Sequence, residues 1–158
     1  MVGKVVGLFI SSGAGLPMES SIQARALAGR GFAGDRYATN QGTFSNSKVI
    51  RHVSLIAREA FEQANRDLVE LGLAPFRLHE TRRNIITEGV DVYAMLGRDF
   101  SIGEVRMRGT EPTKPCHRPS ALVQKTGFAE AFARRGGVRA EVLSDGVVSV
   151  GDFIAFGI

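Results

Sequence analysis

The sequence predicts a mainly β protein: a closed or nearly closed β-barrel with one long helix and short helical insertions. Three observations carry that expectation. Short apolar, β-branched runs recur along the chain, bounded by Gly, Asp, Asn and Ser, which is the pattern of strands joined by turns. Only one stretch, about Ala57 to Leu71, keeps apolar residues at three- and four-residue spacing for several turns. A parallel α/β sheet would need more crossover helices than that. The 158 residues show no internal repeat, low-complexity segment or boundary, so 1–158 is read as one domain able to bury a proper core.

Taken in order, Val2 to Ser11 reads as a strand ending in the turn Ser11-Ser12-Gly13-Ala14-Gly15. Ser21 to Leu27 reads as a second, short strand. Ala28 to Arg36 is glycine-rich and ends in Gly34-Asp35-Arg36, which suits a surface turn with a local Asp–Arg pair, Asp35 orienting Arg36. No helical pattern follows, so it is not a dinucleotide fingerprint. Tyr37 to Lys48 is polar and reads as a surface loop. Val49 to Ile56 returns to β character, with His52 and Ser54 as strand side chains. In the helix, Ala57, Ala60, Phe61, Ala64, Leu68 and Leu71 form the apolar stripe, the charges a solvated face, and Gly72 the stop.

Thr81-Arg82-Arg83-Asn84 precedes the short strand Ile85 to Thr87. Glu88-Gly89-Val90 turns the chain, and Asp91 can cap a short helical turn through Leu96. Arg98 to Ile102 and Glu104 to Gly109 form a hairpin around Gly103, with Val105 and Met107 alternating against Arg106 and Arg108. Phe128, Ala131 and Phe132 suggest a short helix ending at Gly136-Gly137. Val138 to Leu143 and Val147 to Val150 flank Ser144-Asp145-Gly146, a hairpin signal. Gly151-Asp152 then leads into a last strand, Phe153 to Phe156.

Gly109 to Pro119 stands apart. It holds Cys116, the one cysteine, and three of the five prolines. Proline fixes φ and lacks an N–H, and each proline also restricts Glu111, Lys114 or Arg118 before it. The segment is expected to be a stiff loop rather than a helix or a regular strand. Lys114, His117 and Arg118 surround the thiol with positive charge, which favours a thiolate. In an extended loop His117 points away from Cys116, so a Cys–His catalytic pair is not expected. The bland reading is a small buried hydrophobe.

Composition narrows the classes further. One cysteine excludes an intramolecular disulfide and any multi-cysteine zinc or iron–sulfur site, and it fits a reducing compartment. No apolar run is long enough to span a membrane, and Val5 to Ile10 is too short for a signal peptide, so a cytoplasmic location is expected. The net charge is +4, and most of the 20 basic residues are arginine, which suits planar recognition of phosphate and carboxylate.

Three stretches together resemble the MOSC domain, the module at the C-terminus of molybdenum-cofactor sulfurases. They are Gly34-Asp35-Arg36; Arg82-Arg83-Asn84-Ile85 with Gly89-Val90-Asp91; and Gly103-Glu104 leading to Lys114-Pro115-Cys116. The resemblance runs from about Val5 to Phe156, including Gly151-Asp152, and suggests a short, standalone, bacterial-type member. It implies a barrel related to the pyruvate-kinase barrel domain and a role in molybdenum-cofactor or metal–sulfur chemistry. By position Cys116 would carry sulfur or ligate molybdenum. Arg82 and Asn84 match residues that line the pterin site in cofactor-binding relatives. Two departures stand out: Tyr37 occupies a position that is often histidine, and the second cysteine of longer members, near Thr113, is missing. No pyridoxal-phosphate domain accompanies the barrel, so this chain is not expected to mobilise sulfur from free cysteine alone.

The chemistry agrees. Molybdopterin is dianionic at its phosphate, and Arg36, Arg82, Arg83, Lys114 and Arg118 are the candidate cations to receive it. Arg83 also has a plainer reading as a surface strand charge. A thiolate suits both a thiophilic metal and a sulfane-sulfur acceptor, through a persulfide on Cys116. The expected partners are molybdopterin and a sulfur donor such as a cysteine desulfurase, or an electron-transfer partner if the role is redox. Whether the chain is itself an enzyme, a sulfurtransferase or an oxidoreductase component, stays open at this level. The alternative class is a small basic β-barrel that binds nucleic acid or protein without chemistry, prompted by a pI near 9.7. With no Trp and two Tyr it lacks the stacking platforms such binding uses, so nucleic acid is not expected.

Overall fold

The computed structural model describes residues 2–45 and 49–157. Residues 46–48, the end of the expected Tyr37–Lys48 loop, lie outside them. The strands are β1 (Lys4–Ile10), β2 (Glu19–Ser20), β3 (Gln23–Leu27), β4 (Gly31–Phe32), β5 (Val53–Ala57), β6 (Ile85–Glu88), β7 (Asp99–Ile102), β8 (Val105–Pro112), β9 (Val138–Val142), β10 (Gly146–Ser149) and β11 (Ile154–Phe156). The helices are α1 (Arg58–Glu70), α2 (Arg118–Val123) and α3 (Phe128–Ala131).

Eight strands form one curled sheet in the order β11-β7-β8-β9-β5-β6-β1-β2. Its far sides approach each other at an antiparallel bridge between Lys4 and Phe153. Two backbone hydrogen bonds reinforce it: Val5 N–H to the Asp152 carbonyl at 2.9 Å and Ile154 N–H to the Gly3 carbonyl at 2.8 Å. The mainly β, nearly closed barrel with a single longer helix is therefore what the chain forms. A separate three-stranded sheet, β10-β3-β4, completes it.

The pairing departs from expectation in four places. The Ser144-Asp145-Gly146 turn does not close a hairpin: β9 pairs with β8 and β5, whereas β10 pairs with β3 in the small sheet. Asp145 is instead held by the distant Ala28, whose N–H donates to its carboxylate at 2.7 Å. The cysteine segment is not all loop. Residues 110–112 extend β8 against β9, and Arg118 opens α2, with Pro119 in its first turn, where a missing N–H costs nothing. The strand expected from Val49 begins only at Val53. Finally, β5 and β6 are a parallel pair, joined through α1.

That parallel pair is buried on both faces, as such strands are. Leu55 and Ile85 point into the curl beside Val5, Leu8, Met107 and Val138. Ile56 and Ile86 point outward and pack with Ala64 and Leu68 of α1 and with Phe76, Phe128 and Phe132. Phe128 and Phe132 stack at 4.5 Å, and Phe76 meets Phe128 edge-on at 5.2 Å. This outer core fixes α3, whose Phe128 N–H donates to Ser120 Oγ of α2 at 3.1 Å.

Gly137 shows why glycine stands where the cysteine segment meets the sheet. Its φ is +98°, and a Cβ there would lie 1.9 Å from the Leu55 carbonyl oxygen. The Gly137 carbonyl in turn accepts the Thr113 N–H at 2.9 Å.

Candidate functional site

The site begins with a polar row across the sheet. Glu111 of β8 lies opposite Arg139 of β9, and Arg139 lies opposite Ser54 of β5. Asn84 continues the row. Its Oδ1 accepts from Ser54 N–H at 3.0 Å, and its Nδ2 donates to the Phe9 carbonyl at 3.0 Å. Strand alternation puts Ser54 and Ile56 on one face, so the row sits beside the outer aromatic core.

Asp35 anchors the row from the side. It is fully buried. Its Oδ1 accepts from Ser11 N–H at 3.0 Å, Arg36 Nη1 at 3.2 Å and Asn84 Nδ2 at 3.4 Å. Its Oδ2 accepts from Tyr37 N–H at 3.2 Å. The Asp–Arg pair is local, as expected, but it is not a surface turn: both side chains are in the interior, where a charge must be matched. Asp35 orients Arg36 and also fixes Asn84.

Over this base opens a pocket. All seven of the residues singled out from the sequence line it: Arg36, Arg82, Arg83, Asn84, Lys114, Cys116 and Arg118. Arg51, Arg139, Tyr37, Phe44 and Thr113 join them. Seven of the lining side chains are cationic, and among the described residues no carboxylate lines the pocket. Such a concave, single-signed surface focuses its field on anions.

The cations are not equivalent. Arg83 is a clamp: Nε donates to the Gly136 carbonyl at 2.7 Å, Nη2 to Thr113 Oγ1 at 3.1 Å and Nη1 to the Thr81 carbonyl at 3.4 Å. It ties the residues before the cysteine to those before β6. Burial, then Arg139, pulls Arg83 down to about 10, with Cys116 acting in the opposite sense. The Asn84 amide is likewise spent on internal bonds. Arg82 sits in the left-handed region at φ 62°, ending a short helical turn, and donates to the Leu16 carbonyl at 2.8 Å. It too is lowered to about 10, by burial and then by Arg36 and Arg118. Arg51 is lowered by burial and then by Arg139. Its guanidinium lies 4.8 Å from the Phe44 ring centroid, and among the described residues its buried Nε has no hydrogen-bond partner. Among the described residues, the side chains of Lys114 and Arg118 make no hydrogen bond or ion pair.

Cys116 is exposed and lines this pocket, so it is not the small buried hydrophobe of the plainer reading. His117 precedes α2 and is not part of the lining. His52 is structural, its Nδ1 accepting the Val142 N–H at 3.0 Å. Among the described residues no group of three or more His, Cys, Asp or Glu could hold a metal ion. One thiolate does not retain a bare ion, so any metal here must bring ligands of its own.

Arg51, Arg139 and Phe44 escaped the sequence reading. Arg139 falls on the polar phase of an alternating strand, as a solvent-facing residue would. Arg51 and Phe44 lie in a stretch with no periodicity. Only the excess of arginine over lysine hinted that more of them converge.

The fold and site thus define a small curled-barrel protein with a pocket lined by seven cations and one accessible thiol. A family model for the MOSC domain matches residues 40–155, and the chain belongs to the MOSC domain family. The match begins after Gly34-Asp35-Arg36. Solved structures share the fold along nearly the whole chain. The YUAD protein from Bacillus subtilis aligns with a TM-score of 0.76 at 19% identity, over 98% of this chain and 94% of that one. YiiM from Escherichia coli aligns at 0.68 and 18% identity, over 98% of this chain and 70% of that one. YiiM from Geobacillus stearothermophilus aligns at 0.65 and 15%, over 99% and 75%. No curated protein matches the sequence. The family is consistent with a role related to the molybdenum cofactor, and no helix is long and apolar enough to cross a membrane among the described residues.

Proposed function

We propose that this chain is a molybdenum-cofactor-binding or sulfur-carrier module, working in the cytoplasm, whose pocket receives the anionic end of the cofactor beside Cys116. One observation carries the reading: seven cations and the single thiol line one concave surface. The free head groups of Lys114 and Arg118 are donors of the kind a phosphate needs. Arg36, Arg82, Lys114 and Arg118 would hold it directly. Arg83 and Asn84 would shape the wall, because their polar atoms are already engaged. When bound, the cofactor would supply a redox-active metal together with its own sulfur ligands.

Cys116 would serve by ligating that metal or by carrying sulfur, and its exposure favours carriage, since a donor protein can reach it. The Cys116 thiolate would attack the outer sulfur of a donor's persulfide. The donor's S–S bond breaks, its thiolate leaves, and a persulfide forms on Cys116 without net redox change. A cysteine desulfurase is the fitting class of donor. An electron-transfer partner would be needed only if the metal turns over.

The test uses protein from a host that makes the cofactor, with molybdenum measured by elemental analysis and pterin by fluorescence after oxidation. In parallel, the chain is incubated with a cysteine desulfurase and cysteine. The expected result is retained pterin and a mass gain of one sulfur atom that Cys116→Ser abolishes. The absence of pterin, molybdenum and persulfide together would sink the proposal. Molybdenum without persulfide would move Cys116 from carriage to ligation.

A further inference from the structure

The pocket holds more positive charge than one phosphate monoester can use, and that charge divides into two groups. On one side Arg36, Arg82 and Arg118 face one another: burial comes first in lowering Arg82, then Arg36 and Arg118. The one carboxylate of this group is Asp35, bonded to Arg36. On the other side Arg139 is the main charge acting on Arg51 and Arg83, and Arg83 also feels Arg36 of the first group more weakly, so it sits between the two. The one carboxylate on that side is Glu111, paired with Arg139. Three arginines and one carboxylate leave each group at +2, with Lys114 the seventh cation outside both, so either can balance a dianion, and a phosphate monoester carries about two charges near neutrality.

The second group has the features of a binding site in its own right. Among the described residues the buried Nε of Arg51 has no partner, a state that costs free energy until an acceptor arrives. Phe44, 43% exposed, carries that guanidinium over one face of its ring. A flat apolar ring next to an unsatisfied guanidinium suits a ligand that is itself aromatic and carries an oxyanion.

We infer that Arg51, Arg139 and Phe44 form a second oxyanion subsite in the same pocket, which takes an aromatic or heteroaromatic substrate bearing a phosphate or carboxylate. Arg83 contributes its field but not its hydrogen bonds, which are spent on Gly136, Thr113 and Thr81. Assigning the occupant as substrate rests on the proposed function; the subsite itself does not.

The full-length chain is titrated calorimetrically at low ionic strength with phenyl phosphate and separately with benzoate. Wild type is expected to bind two equivalents of phenyl phosphate. Arg51→Met should remove one and Arg118→Met the other. Phe44→Ala should weaken by about fivefold only the event that Arg51→Met removes, a loss in the range of one stacked ring. Arg51→Lys, which keeps the charge and the bulk, should retain both equivalents with the second weakened, and so guards against misfolding. Preference for phenyl phosphate or for benzoate at that event assigns the oxyanion. A single equivalent in wild type, or loss of the same event in Arg51→Met and Arg118→Met, overturns the subsite. Two equivalents in a chain that never retains pterin would keep the subsite and sink the cofactor reading; one equivalent with retained pterin would do the reverse.

Discussion

Asp35 accepts four hydrogen bonds from inside the protein, two from backbone N–H groups and two from side chains. A carboxylate in that position is a structural centre, and its removal leaves the buried Arg36 guanidinium without a counter-charge. Breaking one partner of a buried pair costs about 3–5 kcal/mol, so Asp35→Ala should lower the unfolding free energy by about that much. Denaturant titration monitored by circular dichroism would measure it; a shift under about 1 kcal/mol would show that Asp35 is not the anchor. The Arg82-Arg83-Asn84 run could be singled out from the sequence through its resemblance to the MOSC pattern. Which of them would be free could not. Arg83 and Asn84 are consumed by carbonyls and hydroxyls supplied from residues up to 75 positions away. Side-chain commitment of that kind depends on tertiary placement, and no local pattern encodes it.

At the scale of elements, local signals were legible and non-local pairings were not. The periodicity of α1, the Asp91 cap on Tyr93 N–H and the β7–β8 hairpin around Gly103 all rest on neighbours within a few residues, and all are present. The β5–β6 parallel pair and the divorce of β9 from β10 depend on which distant edge wins each strand. The approach to β9 also carries a titratable strut. His52 Nδ1 accepts the Val142 N–H, so the fold needs a neutral ring, and burial holds the His52 pKa below its ordinary 6.5. The unfolded chain therefore binds more protons than the native one between the lowered value and 6.5. Stability from this strut is present above about 6.5 and is lost as pH falls through that window. His52→Asn retains an acceptor without titrating. The difference in melting temperature between wild type and His52→Asn should narrow or change sign as pH drops from 7.5 to 5.5, about the span in which histidine titrates. A difference independent of pH would assign the acid sensitivity elsewhere. At the start of the same strand, Gly137→Ala drives a Cβ into the Leu55 carbonyl at a φ that L-residues avoid. Its cost should exceed about 4 kcal/mol, read as loss of soluble protein or of the unfolding baseline.

Across the whole molecule, a modest net charge hides a concentrated one. The chain carries +4, yet the pocket alone gathers seven cations, two of them, Arg82 and Arg83, with pKa values held down to about 10 by burial and by neighbouring arginines. Packing these groups together is unfavourable in the free protein, and the fold tolerates it because the curled sheet, the outer aromatic core and the Asp35 anchor are stable enough to impose it. An oxyanion that enters the pocket relieves the repulsion, whereas chloride at equal ionic strength only screens it. Phosphate should therefore raise the melting temperature beyond what sodium chloride does. At a concentration near 100 times its dissociation constant the gain is about 2.7 kcal/mol. For a chain of this size that corresponds to roughly 5–10 °C. Arg118→Met and Arg51→Met should each reduce the gain, and Cys116→Ser should leave it unchanged, because the thiol is no part of the anion's binding. Differential scanning calorimetry of these four proteins separates the pocket's two properties. If Cys116→Ser abolishes the phosphate effect, the thiol and the anion site are not independent. If phosphate and chloride act alike, the clustered arginines are no binding site at all, and the chemistry assigned to the pocket fails with them.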